Sequence, residues 1–132
     1  MEVINGVDEL NEYLASGGDI NAVTPVSGWS LLHCAVENQN LELIQLLAKY
    51  GANLNAKDIY GTTPLHLAVD IDIDGAVQNG ENVSFETTQL LLSLGADEFA
   101  RDKKGRTPRD WANRSSQILA LYESLNREAE QG

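Results

Sequence analysis

The sequence predicts an all-α fold, a solenoid of about three and a half helix-turn-helix repeats, and three observations predict it. The first is the stretch Gly61-Thr62-Thr63-Pro64-Leu65-His66-Leu67-Ala68. Its near-copy Gly28-Trp29-Ser30-Leu31-Leu32-His33-Cys34-Ala35 stands 33 residues earlier, and its echo Gly105-Arg106-Thr107-Pro108-Arg109-Asp110-Trp111-Ala112 follows 44 residues later. The second is an element recurring in step with it: Gly17-Gly18-Asp19-Ile20-Asn21-Ala22, Gly51-Ala52-Asn53-Leu54-Asn55-Ala56 and Gly95-Ala96-Asp97-Glu98-Phe99-Ala100. The third is the helical spacing of the apolar residues between these elements. Each unit buries its apolar face only against its neighbours, so this number of units is near the minimum that supports itself.

Taken in order, residues 1–27 form an N-terminal half-repeat cap, with one helix near Val7 to Ser16 carrying Leu10, Tyr13 and Leu14. Residues 28–59 form a full repeat with helices near Ser30 to Glu37 and Leu41 to Lys49. Residues 60–103 form another, with helices near Thr63 to Val69 and Phe85 to Ser93, lengthened by 11 residues that read as an inserted loop over about 70–83. Residues 104–132 form a C-terminal cap with helices near Thr107 to Asn113 and Ser116 to Glu128, the last offering Ile118, Leu119, Tyr122 and Leu125 to the stack. Thr63 suits a helix N-cap and Pro64 the first helical position, where no N–H is needed. Gly17, Gly51 and Gly95 suit helix C-caps.

A T-P-L-H motif at a period of 33 resembles the ankyrin repeat. The resemblance implies two antiparallel helices and a projecting hairpin or turn per repeat, stacked so that inner helices and tips line a concave groove. It implies a structural role for His33 and His66, each ring bonding backbone or the hydroxyl of its own motif. By register it places Trp29, Glu37, Ile59, Tyr60, Asp70, Lys103, Lys104 and Arg106 on the groove and tips as partner-binding residues. Trp29 and Tyr60 stand out, because exposed aromatics are typical interface anchors. The motif departs from the family pattern at Arg109, Asp110 and Phe99, all toward the C-terminal end.

The 132 residues suit one domain, and no apolar run approaches the roughly 18 residues of a membrane span. Cys34 is the single cysteine, which excludes an internal disulfide and points to a cytoplasmic setting. A net charge of −11 argues against broad affinity for nucleic acid or anionic membrane, and favours a protein partner of basic or mixed charge. The charge is also segregated: residues 1–48 hold seven carboxylates and no Lys or Arg, whereas residues 101–114 hold six basic residues against two acidic ones. The free chain is expected to be a monomer.

No catalytic constellation is legible, since Cys34 directly follows His33 and on a helix would point elsewhere. No phosphate-binding glycine loop and no paired-cysteine or H-E-x-x-H metal signature is present, so no enzyme and no cofactor are expected. One stretch invites a metal. Asp70, Asp72, Asp74, Gly75 and Glu81 match the D-x-D-x-D-G-x5-E pattern of a calcium loop, with the Ala76 carbonyl as a further ligand. Asn79-Gly80 signals a turn just before Glu81 and spoils the fit at its strongest ligand. The expectation is instead an acidic arm beside the groove that meets a partner with Ile73 and Val77.

The function expected is a noncatalytic protein-protein interaction module using groove, tips and the acidic insertion. Two other readings stand beside it. One is an immunity or inhibitor protein neutralising a basic bacterial toxin or effector, which the acidic charge would help to capture. The other is a calcium-responsive binding module resting on residues 70–81.

Overall fold

The computed structural model describes residues 6–79, 85–113 and 118–124, without the side chains of 75–79. Its helices are α1 (Val7–Ala15), α2 (Leu31–Glu37), α3 (Leu41–Lys49), α4 (Pro64–Asn79), α5 (Glu86–Leu94), α6 (Pro108–Ala112) and α7 (118–124). Among the described residues the β pairing is confined to one isolated antiparallel bridge, Val23 with Ser30. The inner layer is α2, α4 and α6, with α4 packed between the other two. The outer layer includes α3 and α5, each packed on the inner helix of its own repeat.

Local chemistry sets the helix ends. The Ser30 hydroxyl accepts the His33 N–H, the Thr63 hydroxyl accepts the His66 N–H, and the Thr107 hydroxyl accepts the Asp110 N–H. Each side chain thereby satisfies a first-turn donor that has no partner within the helix. At the other end, Gly17, Gly51 and Gly95 take left-handed φ values of +93°, +89° and +106° just where α1, α3 and α5 stop. A residue with a Cβ is disfavoured there.

The core runs through the repeats as two clusters. Leu10, Leu31, Leu32, Val36, Ile44, Leu47, Leu65 and Leu91 belong to the larger one, which crosses from the N-terminal half repeat to α5. Val69, Ile73, Phe85, Ala112 and Tyr122 form the second, where α4 meets the C-terminal unit. Phe85 is buried in it with φ +52°, and its ring meets Tyr122 edge to face at 6.1 Å. Side-chain packing holds this non-glycine residue in a left-handed conformation that its backbone disfavours.

The insertion is where structure and sequence expectation part. Residues 70–79 are not a loop: they continue α4 to 16 residues. Helical spacing explains why. Val69 and Ile73, four apart, share the face that enters the second cluster, and Leu67 and Ile71 share the face against the first. Asp72 turns toward α5, where its Oδ2 accepts both the Thr88 backbone N–H (2.9 Å) and the Thr88 hydroxyl (2.8 Å). Helix α5 accordingly begins one residue later than expected, at Glu86. The end of the last helix near Glu128 lies outside the described residues.

Candidate functional site

Three tips project from the stack, at residues 23–29, 57–62 and 101–106. Each of the last two is organised by a buried aspartate. The Asp58 Oδ1 accepts the backbone N–H groups of Tyr60 (2.8 Å) and Thr62 (2.9 Å), and its Oδ2 accepts the Trp29 indole N–H at 3.1 Å. Asp102 repeats this scheme: Oδ1 accepts from the N–H of Lys104 and of Arg106, both at 2.9 Å, and Oδ2 from the Trp111 indole at 3.1 Å and Arg106 Nε at 3.0 Å. Burial works to raise the Asp102 carboxyl. It is outweighed by the hydrogen bonds from Arg106 and Trp111, with Lys104 adding to them, and the group is held at about 2.

Neighbouring tips are joined backbone to backbone. The Ile59 N–H donates to the Ser27 carbonyl at 3.1 Å, and the Lys103 N–H to the Tyr60 carbonyl at 3.0 Å. Gly61 makes the second junction possible, because a Cβ there would stand 2.8 Å from the Lys103 nitrogen. On the tip arms an asparagine seam runs parallel. The Asn21 Oδ1 accepts the Asn53 N–H and the Asn55 Oδ1 accepts the Asp97 N–H, each at 2.8 Å. Phe99, in the register of Asn21 and Asn55, carries no amide and is exposed.

The histidines stitch inner helices to the tip that follows. His33 Nε2 lies 2.9 Å from the Thr62 carbonyl and His66 Nε2 2.8 Å from the Arg106 carbonyl. Each Nδ1 faces the backbone N–H and hydroxyl of its own motif, Ser30 or Thr63. Accepting at Nδ1 and donating at Nε2 requires one neutral tautomer. Burial lowers both pKa values, against the opposing pull of the carbonyl bonds. In the last unit Asp110 replaces the histidine. Its Oδ2 still accepts the Thr107 N–H at 2.9 Å, so it keeps the local half of the task, while Arg109 reaches Glu123 of α7 at 3.0 Å.

Several expected site residues stand where the register placed them. Tyr60 is 68% and Ile59 43% exposed on the second tip, and Lys103, Lys104 and Arg106 are exposed on the third. Glu37 is exposed at the end of α2. Asp70 is half-buried on α4 and shares an open pocket with Arg106, Asp110 and Trp111.

Others need correction. Trp29 is not a free anchor: it is half-buried, tied to Asp58 and stacked on His33 with ring centroids 6.0 Å apart. Ile73, expected on an exposed arm, is 1% exposed in the core. Val77 and Ala76 lie on α4 rather than on a loop. Asp70, Asp72 and Asp74 follow the same helix, where successive residues turn by about 100°, so Asp72 points away from the face that Asp70 and Asp74 share and the three do not converge as in a calcium loop. Glu81 lies outside the described residues. Among those residues no three acidic, His or Cys side chains are grouped as a metal site. Cys34 is half-buried, and burial, with Glu37 adding to it, raises its thiol pKa, which disfavours the nucleophilic thiolate. No described helix is long and apolar enough to cross a membrane.

Sequence reasoning missed Val26, 84% exposed on the first tip, and the two organising aspartates. A signal for the aspartates was available: Asp58 and Asp102 stand three residues before Gly61 and Gly105 in the same register.

Comparison with known proteins agrees with this architecture. The family model "Ankyrin repeats (3 copies)" matches residues 2–78, and the single "Ankyrin repeat" model matches residues 60–103. The chain is 49% identical over 55 residues to the B-cell lymphoma 3 protein homolog of Mus musculus, covering 42% of this chain and 12% of that protein. It is 52% identical over 42 residues to the Homo sapiens protein phosphatase 1 regulatory subunit 27, covering 32% of this chain and 27% of that one. The solved ankyrin repeat domain of Bcl-3 superposes with a TM-score of 0.68 at 32% identity, over 88% of this chain and 46% of that one. The chain thus spans about an eighth to a quarter of the length of these two relatives. With family models matching most of its length and its helices, capped motifs and linked tips repeating in register, the chain belongs to the ankyrin-repeat family.

Proposed function

We propose that the chain is a noncatalytic module that binds a protein partner along its tips and the adjoining inner-helix face. The observation that carries this reading is the state of the second tip. Ile59 and Tyr60 are exposed although their backbone is fixed on both sides, by the bonds to Ser27 and Lys103 and by the Asp58 carboxylate. Large side chains presented on a rigid backbone bind with little ordering cost. The relatives support the reading, since one is by name a regulatory subunit of a phosphatase. A narrower form, an inhibitor neutralising a basic effector, is supported by the net charge of −11, which would speed encounter with a cationic surface.

Affinity capture from native lysate, read by mass spectrometry, tests it. The intact chain should retain a partner that a double Ile59→Ala, Tyr60→Ala variant loses, by about 2 kcal/mol or more. A Glu42→Ala, Gln45→Ala variant on the outer helix α3 should retain it. Loss with the outer-face variant alone would show that the convex side binds, and the reading would fail.

A further inference from the structure

On the tips the exposed charge is entirely positive, in a chain of net charge −11. Only two carboxylates occur there, Asp58 and Asp102, and both are buried and turned inward onto the turn amides and an indole. The exposed charges are Lys57 on the second tip and Arg101, Lys103, Lys104 and Arg106 on the third. Five of the nine Lys and Arg of the whole chain therefore lie on this one edge.

The backbone junctions show which positions correspond. Ser27 and Tyr60 each give a carbonyl to the next tip, so Ser27, Tyr60 and Lys104 are equivalent, as are their predecessors Val26, Ile59 and Lys103. Read along the stack, equivalent positions pass from apolar and neutral, through mixed, to cationic. The first tip exposes Val26, the second Ile59 and Tyr60 beside Lys57, and the third the lysine pair. The edge is a graded strip.

We propose that this strip binds an acidic peptide segment, its apolar side chains over Val26, Ile59 and Tyr60 and its carboxylates over Lys103 and Lys104. The proposal rests on the protein-binding reading above and deepens it. The net charge of the chain favours a basic partner, but the tip edge selects the opposite sign, because charge complementarity acts over about one Debye length and not over the whole molecule. Exposed aliphatic Val26 and Ile59 favour a peptide over nucleic acid, because they offer a surface to apolar side chains and no cation to a phosphate.

Fluorescence anisotropy with labelled probes tests this. The probes are a peptide with Leu and Phe followed by a run of Glu and Asp, the same peptide in reverse order, a counterpart with Lys and Arg in place of the acids, and a single-stranded oligonucleotide. One acidic peptide should bind best, more weakly as salt is added. Affinity should fall about tenfold or more in Lys103→Glu, Lys104→Glu and, separately, in Ile59→Ser, Tyr60→Ser, all exposed positions. Preference for the basic peptide, equal binding of the oligonucleotide, affinity unmoved by Lys103→Glu, Lys104→Glu, or no acidic-peptide binding at roughly millimolar concentration would each overturn the proposal. A lysate partner lost with Ile59 and Tyr60 but indifferent to the lysine pair would preserve the binding-module reading and refute the acidic segment alone.

Discussion

The Trp29 indole N–H donates to the Asp58 carboxylate at 3.1 Å, joining the first tip to the second across 29 positions of sequence. The same carboxylate holds the Tyr60 and Thr62 amides, so a single side chain supports both the shape of one tip and its attachment to the previous one. Asp58→Ala should destabilise the chain by about 2–4 kcal/mol, since three donors in partly buried surroundings lose their acceptor. Trp29→Phe, which removes one donor and keeps most of the ring contact, should cost about 1 kcal/mol. Urea unfolding curves check the ranking, and a Trp29→Phe effect as large as that of Asp58→Ala would refute it.

Two glycines separate backbone strain from close approach. Gly51 has φ +89° with nothing within 4 Å of a built Cβ, whereas Gly61 has φ +75° with the Lys103 nitrogen 2.8 Å from one. Gly51→Ala should cost about 1 kcal/mol, the price of a left-handed alanine. Gly61→Ala adds a clash with backbone and should cost about 3 kcal/mol or more while loosening the second tip from the third. Equal unfolding midpoints for the two variants would contradict this.

Stability should depend on pH through opposing groups. Burial lowers the pKa of His33 and His66, so below the usual histidine value of about 6.5 the unfolded chain takes up protons that the folded chain refuses, and stability falls on acidification. Asp72 acts the other way: burial raises its carboxyl, against the Thr88 bonds, so the folded chain protonates first and gains stability as pH falls through that raised value. Asp72→Asn should therefore remove that gain and steepen the loss of stability on acidification. Urea midpoints between about pH 7.5 and 5.5 measure the histidine effect, and the difference between Asp72→Asn and the parent chain as pH is lowered further measures that of Asp72. Nitrogen NMR should find both rings neutral, with the proton on Nε2.

Calcium should produce no heat when titrated into chelator-treated protein, because on α4 Asp72 points away from the face that Asp70 and Asp74 share and is committed to Thr88. Binding at millimolar affinity or better that Asp72→Ala abolishes would show that residues 70–81 rearrange into a metal loop.

The repeats were legible because their signals are local: a hydroxyl before Pro64, a histidine three places after that hydroxyl, a glycine where a helix stops. The insertion misled because its local signals, alternating aspartates and an Asn-Gly pair, describe a loop, while the forces that make it a helix are tertiary. Ile73 needs Phe85 and Tyr122, and Asp72 needs Thr88, 16 positions away. Tip exposure was only half legible for the same reason. Nothing near Trp29 in sequence reveals that Asp58 will fold it down, whereas Tyr60, with no such acceptor in register, was placed correctly on the surface.

The cross-repeat bonds described above, from Ser27 to Ile59, Tyr60 to Lys103, His33 to Thr62, His66 to Arg106 and along the asparagines, all fall on the hairpin side. Away from that side the helix bodies meet through side-chain packing of the apolar clusters. Directional bonds resist stretching at a fixed length, whereas packed helices slide by small amounts at little cost. The molecule is therefore bound like a book, with its spine along the hairpins. A force that bends it should fan the helices before it parts the tips, so curvature can adjust while the spacing of the residues along the spine stays constant.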